Sequence, residues 1–380
     1  MKSTTFRSAV GAALTAALSA VVLPASAANA AEGPAAAGTV DTATARSFGR
    51  LADAVLTQRT AALLDNNEQS VRRAAPLAER NVRLSAGQTR TEDTALSALR
   101  TRKARLAALG EAYASAHTRV AVDRLRVEAG RATVQATETT TLAYRKIRGD
   151  EPATTGFQAH HRLTFAATAD GEWQLTGLTS TDDGPLAVNE PAAARGAAVR
   201  TTAQQEAKPA AISKPSQPQT KPAGSYDYAA MASYAEKYWQ NYNPAYRKFN
   251  EAGGDCTNFV SQSLKAGGWA NKSGDAEDYR SWWYDTSYQS TSWVGANEWS
   301  WFTLDAKRAT NLANVYYMGV GDVMQMDFDK DGSKDHTMIV TYRSSSGVPY
   351  LTYHSVNTYR KSIASIIASY PNSLYYAYRT

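Results

Sequence analysis

Between Glu190 and Ser225 the chain carries Pro191, Pro209, Pro215, Pro218 and Pro222, five of its 13 prolines, with Lys, Gln, Ala and Ser filling the gaps. Large apolar residues are nearly absent there. Such a stretch cannot bury enough surface to fold by itself and reads as a semi-extended spacer. It divides the 380 residues into two regions, each long enough to bury a core. The expected organisation is a leader over 1–31, a first folded region over 40–188, the linker over 189–225 and a second folded region over 226–380. Two separate cores are expected.

The leader has the make-up of a secretory signal. Lys2 and Arg7 supply a positive start, Ala9 to Leu23 form an apolar run short for a membrane span, and Ala25-Ser26-Ala27 and Ala28-Asn29-Ala30 are small-x-small cleavage sites. Removal near Ala30 and export to the extracellular side are expected. No other stretch is long and apolar enough to cross a membrane. The net charge of +6 and pI near 9.2 are spread along the chain. They suit contact with an anionic surface such as a cell wall, or solubility alone, and do not point to nucleic acid.

Export makes the cysteine count informative. Cys256 is the only cysteine, so no internal disulfide can form in an oxidising compartment. A lone thiol there is reactive, bridged to another molecule, or buried and inert.

In the first region, Phe48, Leu51, Val55, Leu63 and Leu64 recur near helical spacing, and Glu92 to Ala116 reads as a second helix. From Val120 the apolar period changes to two and holds to Leu178, with a hairpin turn signal at Asp170-Gly171. Helices followed by a meandering antiparallel sheet make a small α+β domain, similar in its order of elements to the nuclear-transport-factor-like cone fold. His117, His160 and His161 lie here. The adjacent pair alternates faces on a strand and does not easily share a metal, so a structural role is expected.

In the second region, Tyr228 to Trp239 reads as a helix. Gly253-Gly254-Asp255-Cys256-Thr257-Asn258-Phe259-Val260, with Leu264 and then Gly267-Gly268, reads as loop, Asp255 as N-cap, and a helix with the thiol in its first turn. Helix-start N–H groups and the dipole are expected to lower the thiol pKa and make a nucleophile of it. Residues 269–301 hold six of the eight tryptophans without a clean period. Packing is expected for most of them, with one or two facing a cleft; Trp282, Trp283 and Trp299 are the candidates for substrate contact, together with Asp255. Strands are expected at 321–326, 336–342, 350–354 and 374–378.

A cysteine nucleophile needs a base and a group to hold that base. Only His336 and His354 lie in this region. His336 is the candidate base, His354 the candidate orienting residue, and Asn357 competes for the same role. Asn250 is a candidate oxyanion donor beside the Cys256 amide. Asp327, Asp329 and Asp331 alternate before Gly332, and Asp335 falls where a water-mediated ligand would sit, as in the first half of a calcium loop. Met338 stands where the bidentate Glu belongs. An Asp/Gly-rich hairpin tip and a structural calcium site are both open readings; no other cofactor is required.

Gly-Asp-Cys-Thr-Asn-Phe-Val-Ser-Gln at 254–262, the tryptophan-rich segment, Gly-Asp-Val at 321–323, Asp-Phe-Asp-Lys-Asp-Gly-x-x-Asp-His at 327–336 and Tyr-His at 353–354 resemble the bacterial secreted amidase-domain family, related to CHAP-type and papain-like cysteine hydrolases. The resemblance covers about 226–380. It implies a papain-like α+β core with Cys256 as nucleophile on a helix and His336 as base on an antiparallel sheet. The expected function is an exported cysteine amidase or peptidase acting through an acyl-enzyme, with peptidoglycan or another peptide as substrate. A toxin-like hydrolase of proteins differs only in substrate. The alternative is a non-catalytic surface protein that binds glycan or peptide.

Overall fold

The computed structural model describes residues 40–65, 77–79, 81–191, 207–219, 221, 224–250 and 254–380. The expected leader over 1–31 and residues 192–206 of the linker lie outside them. No described helix is long and apolar enough to cross a membrane.

Helix α1 (Thr42–Ala61) starts where Asp41 accepts the N–H groups of Ala43 and Thr44. Two short strands, β1 (Ala78–Glu79) and β2 (Val82–Leu84), precede α2 (Ala86–Ala108), which Ser85 caps by accepting the Gln88 N–H. The helix expected to run to Ala116 stops eight residues earlier. Gly110 turns the chain with φ +76°, and Tyr113 already belongs to β3 (Tyr113–Glu128). Strands β4 (Arg131–Tyr144), β5 (Thr154–Ala167) and β6 (Trp173–Ser180) complete an antiparallel meander, with β2 added in parallel on β6. Helix α1 lays Phe48, Leu51 and Val55 against Val134, Leu163, Phe165 and Leu175.

The second half opens with α3 (Tyr228–Tyr238) and α4 (Cys256–Ala266). The tryptophan segment follows, with α5 (Thr291–Val294) and α6 (Ala296–Asp305). Then come β7 (Thr310–Leu312), β8 (Val323–Asp327), β9 (His336–Arg343), β10 (Pro349–Tyr353), β11 (Asn357–Ser362), α7 (Ile363–Ser369) and β12 (Leu374–Arg379). The class is α+β, as expected, with one large, mostly antiparallel sheet. Its order through the second half is β11-β10-β9-β8-β12-β7.

The two halves share that sheet. Strand β5 pairs along its length with β4, while its other edge divides: 161–167 pair with β6, and Gly156, Phe157 and Gln158 pair with Tyr359, Thr358 and Asn357 of β11. Below this junction one apolar cluster draws Leu99, Tyr113 and Phe157 from the first half and Met338, Tyr353, Ile363 and Ile366 from the second. Across it the Ser362 hydroxyl donates to Glu111, and the Tyr113 and Ser365 hydroxyls meet at 2.8 Å. The expectation of two separate cores is therefore not met. Nor is all of the proline-rich stretch a free spacer: the Ala210 N–H donates to the Tyr375 carbonyl at 2.7 Å, and the Lys221 ammonium lies 2.7 Å from Asp322 Oδ1.

A shared apolar cluster couples the stability of the halves. Ile366→Ala, in the middle of it, is expected to cost about 2–5 kcal/mol and to lower one cooperative calorimetric transition. Two transitions, with the first-half one unmoved, would contradict the shared core.

Candidate active site

Helix α4 is buried over every residue from Cys256 to Leu264. A helix sealed on all sides is expected to be apolar all round, yet this one carries Thr257, Asn258, Ser261, Gln262 and Ser263. The tryptophan segment explains it. Trp293 Nε1 donates to Asn258 Oδ1 at 2.8 Å, Trp282 Nε1 to Ser261 Oγ at 3.2 Å, and Ser261 in turn to the Trp293 carbonyl. Indole N–H groups entering a core need acceptors, and the polar face of α4 supplies them. Trp269, Trp282, Trp293 and Trp299 are fully buried. Trp282 and Trp299 are thus core residues rather than the substrate contacts expected of them. Trp283 is half-exposed, its indole N–H spent on the Gly274 carbonyl.

The sheet side of α4 is fixed by a polar chain. The Tyr378 hydroxyl donates to Gln325 Oε1, Gln325 Nε2 donates to Thr337 Oγ1, and Thr337 Oγ1 meets Thr257 Oγ1 at 2.8 Å. Thr257 and Thr337 are the residues directly after Cys256 and His336. The bond therefore sets the first turn of α4 against the start of β9.

Asp255 precedes the helix but does not cap it through its side chain. Its Oδ1 accepts from the Phe249 N–H (3.0 Å) and Asn258 Nδ2 (2.9 Å), and its Oδ2 lies 2.6 Å from His354 Nδ1. The carboxylate is fully buried and fully used, which excludes the substrate contact expected of it. His354 is equally committed. Its Nε2 faces the Tyr238 carbonyl at 2.9 Å, and its ring is sandwiched between Tyr242 (4.0 Å between centroids) and Phe259 (3.9 Å). With both nitrogens taken, His354 does not orient His336. It ties the turn after β10 to the start of α4. That turn is left-handed at two non-glycine residues, Ser355 and Val356, each with φ +61°. Strain of this kind, about 1–3 kcal/mol per residue, persists only where the surroundings impose it. Here the Ser355 hydroxyl accepts the Asp255 N–H at 3.2 Å.

Cys256 is the first residue of α4 and 6% exposed. Its surroundings are polar: the Thr337 N–H donates to the sulfur, the Thr257 hydroxyl lies 3.8 Å away, and the Asp255 carboxylate is the preceding side chain. Burial pushes the thiol pKa up, and the Asp255 charge adds to that; the Thr337 and Thr257 hydrogen bonds pull the other way. The direction is opposite to the expected lowering, and desolvation is its largest cause. His336, the first residue of β9, is fully buried with its ring edge-on to Tyr353 at 5.2 Å. The first half of the chain reaches this ring. Gly184 has φ +111°, and a Cβ placed there would lie 3.1 Å from His336 Nδ1 and 3.1 Å from Ser355 Cβ.

Asn250 and Asn357 are brought together, but around Tyr242 rather than around the imidazole. Asn250 Nδ2 donates to the Tyr242 hydroxyl (2.9 Å), which donates to Asn357 Oδ1 (3.0 Å); Asn357 Nδ2 donates to Gln158 Oε1 (3.2 Å). Tyr242 stands outside any apolar period, so nothing in the sequence marked it.

In the acidic loop, carboxylate oxygens of Asp327, Asp329 and Asp335 come within 4.8 Å of one another. Asp331 stays apart and accepts the Ser333 N–H. Asp327 uses both oxygens on the N–H groups of Lys330 and Gly332, and Asp335 accepts from Phe328. The loop closes on its own backbone as an Asx-rich turn does. Asp327, Asp329 and Asp335 are the three carboxylates that could hold a hard cation.

Two outcomes follow from this geometry. Breaking the buried Asp255–His354 pair from one side, as in His354→Ala, is expected to cost about 3–5 kcal/mol, and the double variant with Asp255→Ala less than the sum, in denaturant titrations. Alkylation of Cys256 by iodoacetamide is expected to be slow at pH 7 and to keep rising through the ordinary thiol range near about 8.5, because a raised pKa leaves the thiolate a minority below it. A plateau by pH 7 would contradict the burial argument.

Residues 225–378 match the family described as Putative amidase domain. Two curated relatives from Bacillus subtilis (strain 168) are both uncharacterized. YhbB is 36% identical over 136 residues, 34% of this chain and 42% of its own length; YjcM is 34% identical over 140 residues, 34% of this chain and 31% of its own length. The chain thus spans less than half of either relative. A solved structure of the intermembrane space region of the chloroplast protein ARC6 aligns over 38% of this chain and 98% of its own at 17% identity; its TM-score of 0.24 gives it no weight. The family match supports an amidase-like family for residues 225–378.

Proposed function

We propose that this protein is a cysteine-dependent amide hydrolase with Cys256 as nucleophile and His336 as base. One observation carries the reading: the Thr257–Thr337 hydrogen bond, with the Thr337 N–H on the sulfur, sets the residue after the thiol against the residue after the imidazole. Cys256 gives its proton to His336 and the thiolate attacks the amide carbonyl. The C–N bond breaks as His336 returns the proton to the leaving amine. Water, deprotonated by the same imidazole, then hydrolyses the thioester and frees the acid and Cys256. The Cys256 N–H, at the helix start, serves the oxyanion. The relation to CHAP-type and papain-like hydrolases belongs to this proposal, as does calcium stiffening the Asp327–Asp335 loop that leads to His336.

Export through the segment at 1–31 and the positive charge of the chain favour cell-wall peptidoglycan peptides as substrate. The binding-protein alternative has one observation in its favour, the thiol held protonated by burial. The burial of Trp269, Trp282, Trp293 and Trp299 works against it, since none of these four is open to a ligand.

Turnover of purified cell-wall fragments, with products identified by mass, decides between them. Cys256→Ala and His336→Ala are each expected to lose about 1,000-fold or more while keeping the wild-type melting profile. Equal product release by wild type and Cys256→Ala would leave the binding protein as the reading.

A further inference from the structure

A hollow of about 380 Å³ opens between β5 and the segment after α3, within the range of about 300–1,000 Å³ usual for ligand sites. Its two walls come from different halves of the chain. Strand β5 contributes Gln158 and His160; the segment after α3 contributes Gln240, Tyr242, Lys248 and Asn250; Asn357 closes the floor where β11 pairs with β5.

The chemistry of these walls is one-sided. Among the described lining residues there is no carboxylate and no aliphatic side chain. Four carboxamides offer both donors and acceptors, the complement of peptide N–H and C=O groups. Three of them are already fixed in one chain of hydrogen bonds, Asn250 to Tyr242 to Asn357 to Gln158, which leaves the Asn250 oxygen, the Gln158 amide N–H groups and Gln240 for a ligand. Lys248 is exposed, and its ammonium rests 4.8 Å from the Tyr242 ring centroid. His160 is held from behind by Asp182, with Nδ1 2.8 Å from Oδ1 and its N–H donating to Oδ2 at 2.6 Å. Asp182 raises the pKa of that imidazole. Asp182 is thus spent on His160, and the exposed positive charge of the lining is that of Lys248. One wall of the hollow is connected to the start of α4 by packed side chains. The Tyr242 ring stacks on His354, which holds Asp255, the residue before Cys256.

We propose that this hollow, built jointly by β5 and the segment after α3, is a subsite for an acidic peptide segment, with Lys248 and His160 receiving its carboxylate and the carboxamides its backbone. The subsite deepens the hydrolase reading and rests on it only for the fate of the bound peptide.

Binding is read separately from turnover. The full chain with Cys256→Ala is titrated with N-acetyl-Ala-Glu-Ala-amide and with N-acetyl-Ala-Gln-Ala-amide at low salt. The acidic peptide is expected to bind about 10-fold tighter. Adding Lys248→Gln is expected to abolish the preference, and adding Lys248→Glu to transfer it to N-acetyl-Ala-Lys-Ala-amide. Lys248 is exposed, so these variants are expected to keep the parent melting profile. Equal binding of the acidic and neutral peptides, binding of neither, or a preference that survives Lys248→Gln would overturn the subsite. Wild-type hydrolysis of cell-wall fragments without any such preference would leave the hydrolase standing and remove the subsite. A preference in a protein that hydrolyses nothing would do the reverse.

Discussion

One buried carboxylate anchors the start of helix α4 to its surroundings. Asp255 is fully buried, so both of its carboxylate oxygens need donors from inside the protein. It finds the Phe249 amide, the Asn258 carboxamide and the His354 ring. Those three partners lie on the approach loop, on α4 itself and at the end of β10. A single side chain therefore pins the helix, the loop before it and the sheet to one another, and Cys256 is placed as the next residue along. The left-handed turn at Ser355-Val356 is tolerated because the Asp255 amide bonds Ser355 from the same point.

Much of this was open to reading before any coordinates. The start of α4 is legible in the sequence, where Gly254-Asp255 precede Cys256 and Phe259, Val260 and Leu264 follow at helical spacing. The strands at 323–327, 336–343, 349–353 and 374–379 carry period-two or continuous apolar runs bounded by Gly, Asp or Ser. What stayed hidden has physical reasons. Strand β11 follows a hairpin turn made by Ser355-Val356, which lacks the Asn or Gly that usually marks φ above zero. Its partner β5 lies about 200 residues away, and no local pattern records such a pairing. Tyr113 to Ala116 was assigned to a helix because Ala-rich sequence has high helix propensity; pairing with β4 overrode it.

The site residues divide along the same line. Cys256 and His336 could be singled out because their residue types are rare in the second half, and rarity needs no geometry. The partners of Asp255 and His354 could not, because which acceptor a ring nitrogen faces is a tertiary property. The tryptophans failed as substrate contacts for a reason that composition hides. An indole can stack on a ligand or plug a core; Trp282 finds its acceptor, Ser261, on the buried helix, and Trp299 is enclosed by Trp269 and Tyr378.

The pairing of β5 with β11 has a consequence for how such a chain can be assembled. A sequence family that begins at residue 225 marks where resemblance starts, and not where a self-sufficient body starts. Cut there, β11 would present bare N–H and C=O groups of Asn357, Thr358 and Tyr359 to solvent, and Met338, Tyr353 and Ile366 would lose their covering. Each half thus limits which substitutions the other can accept along that shared edge and in the shared cluster.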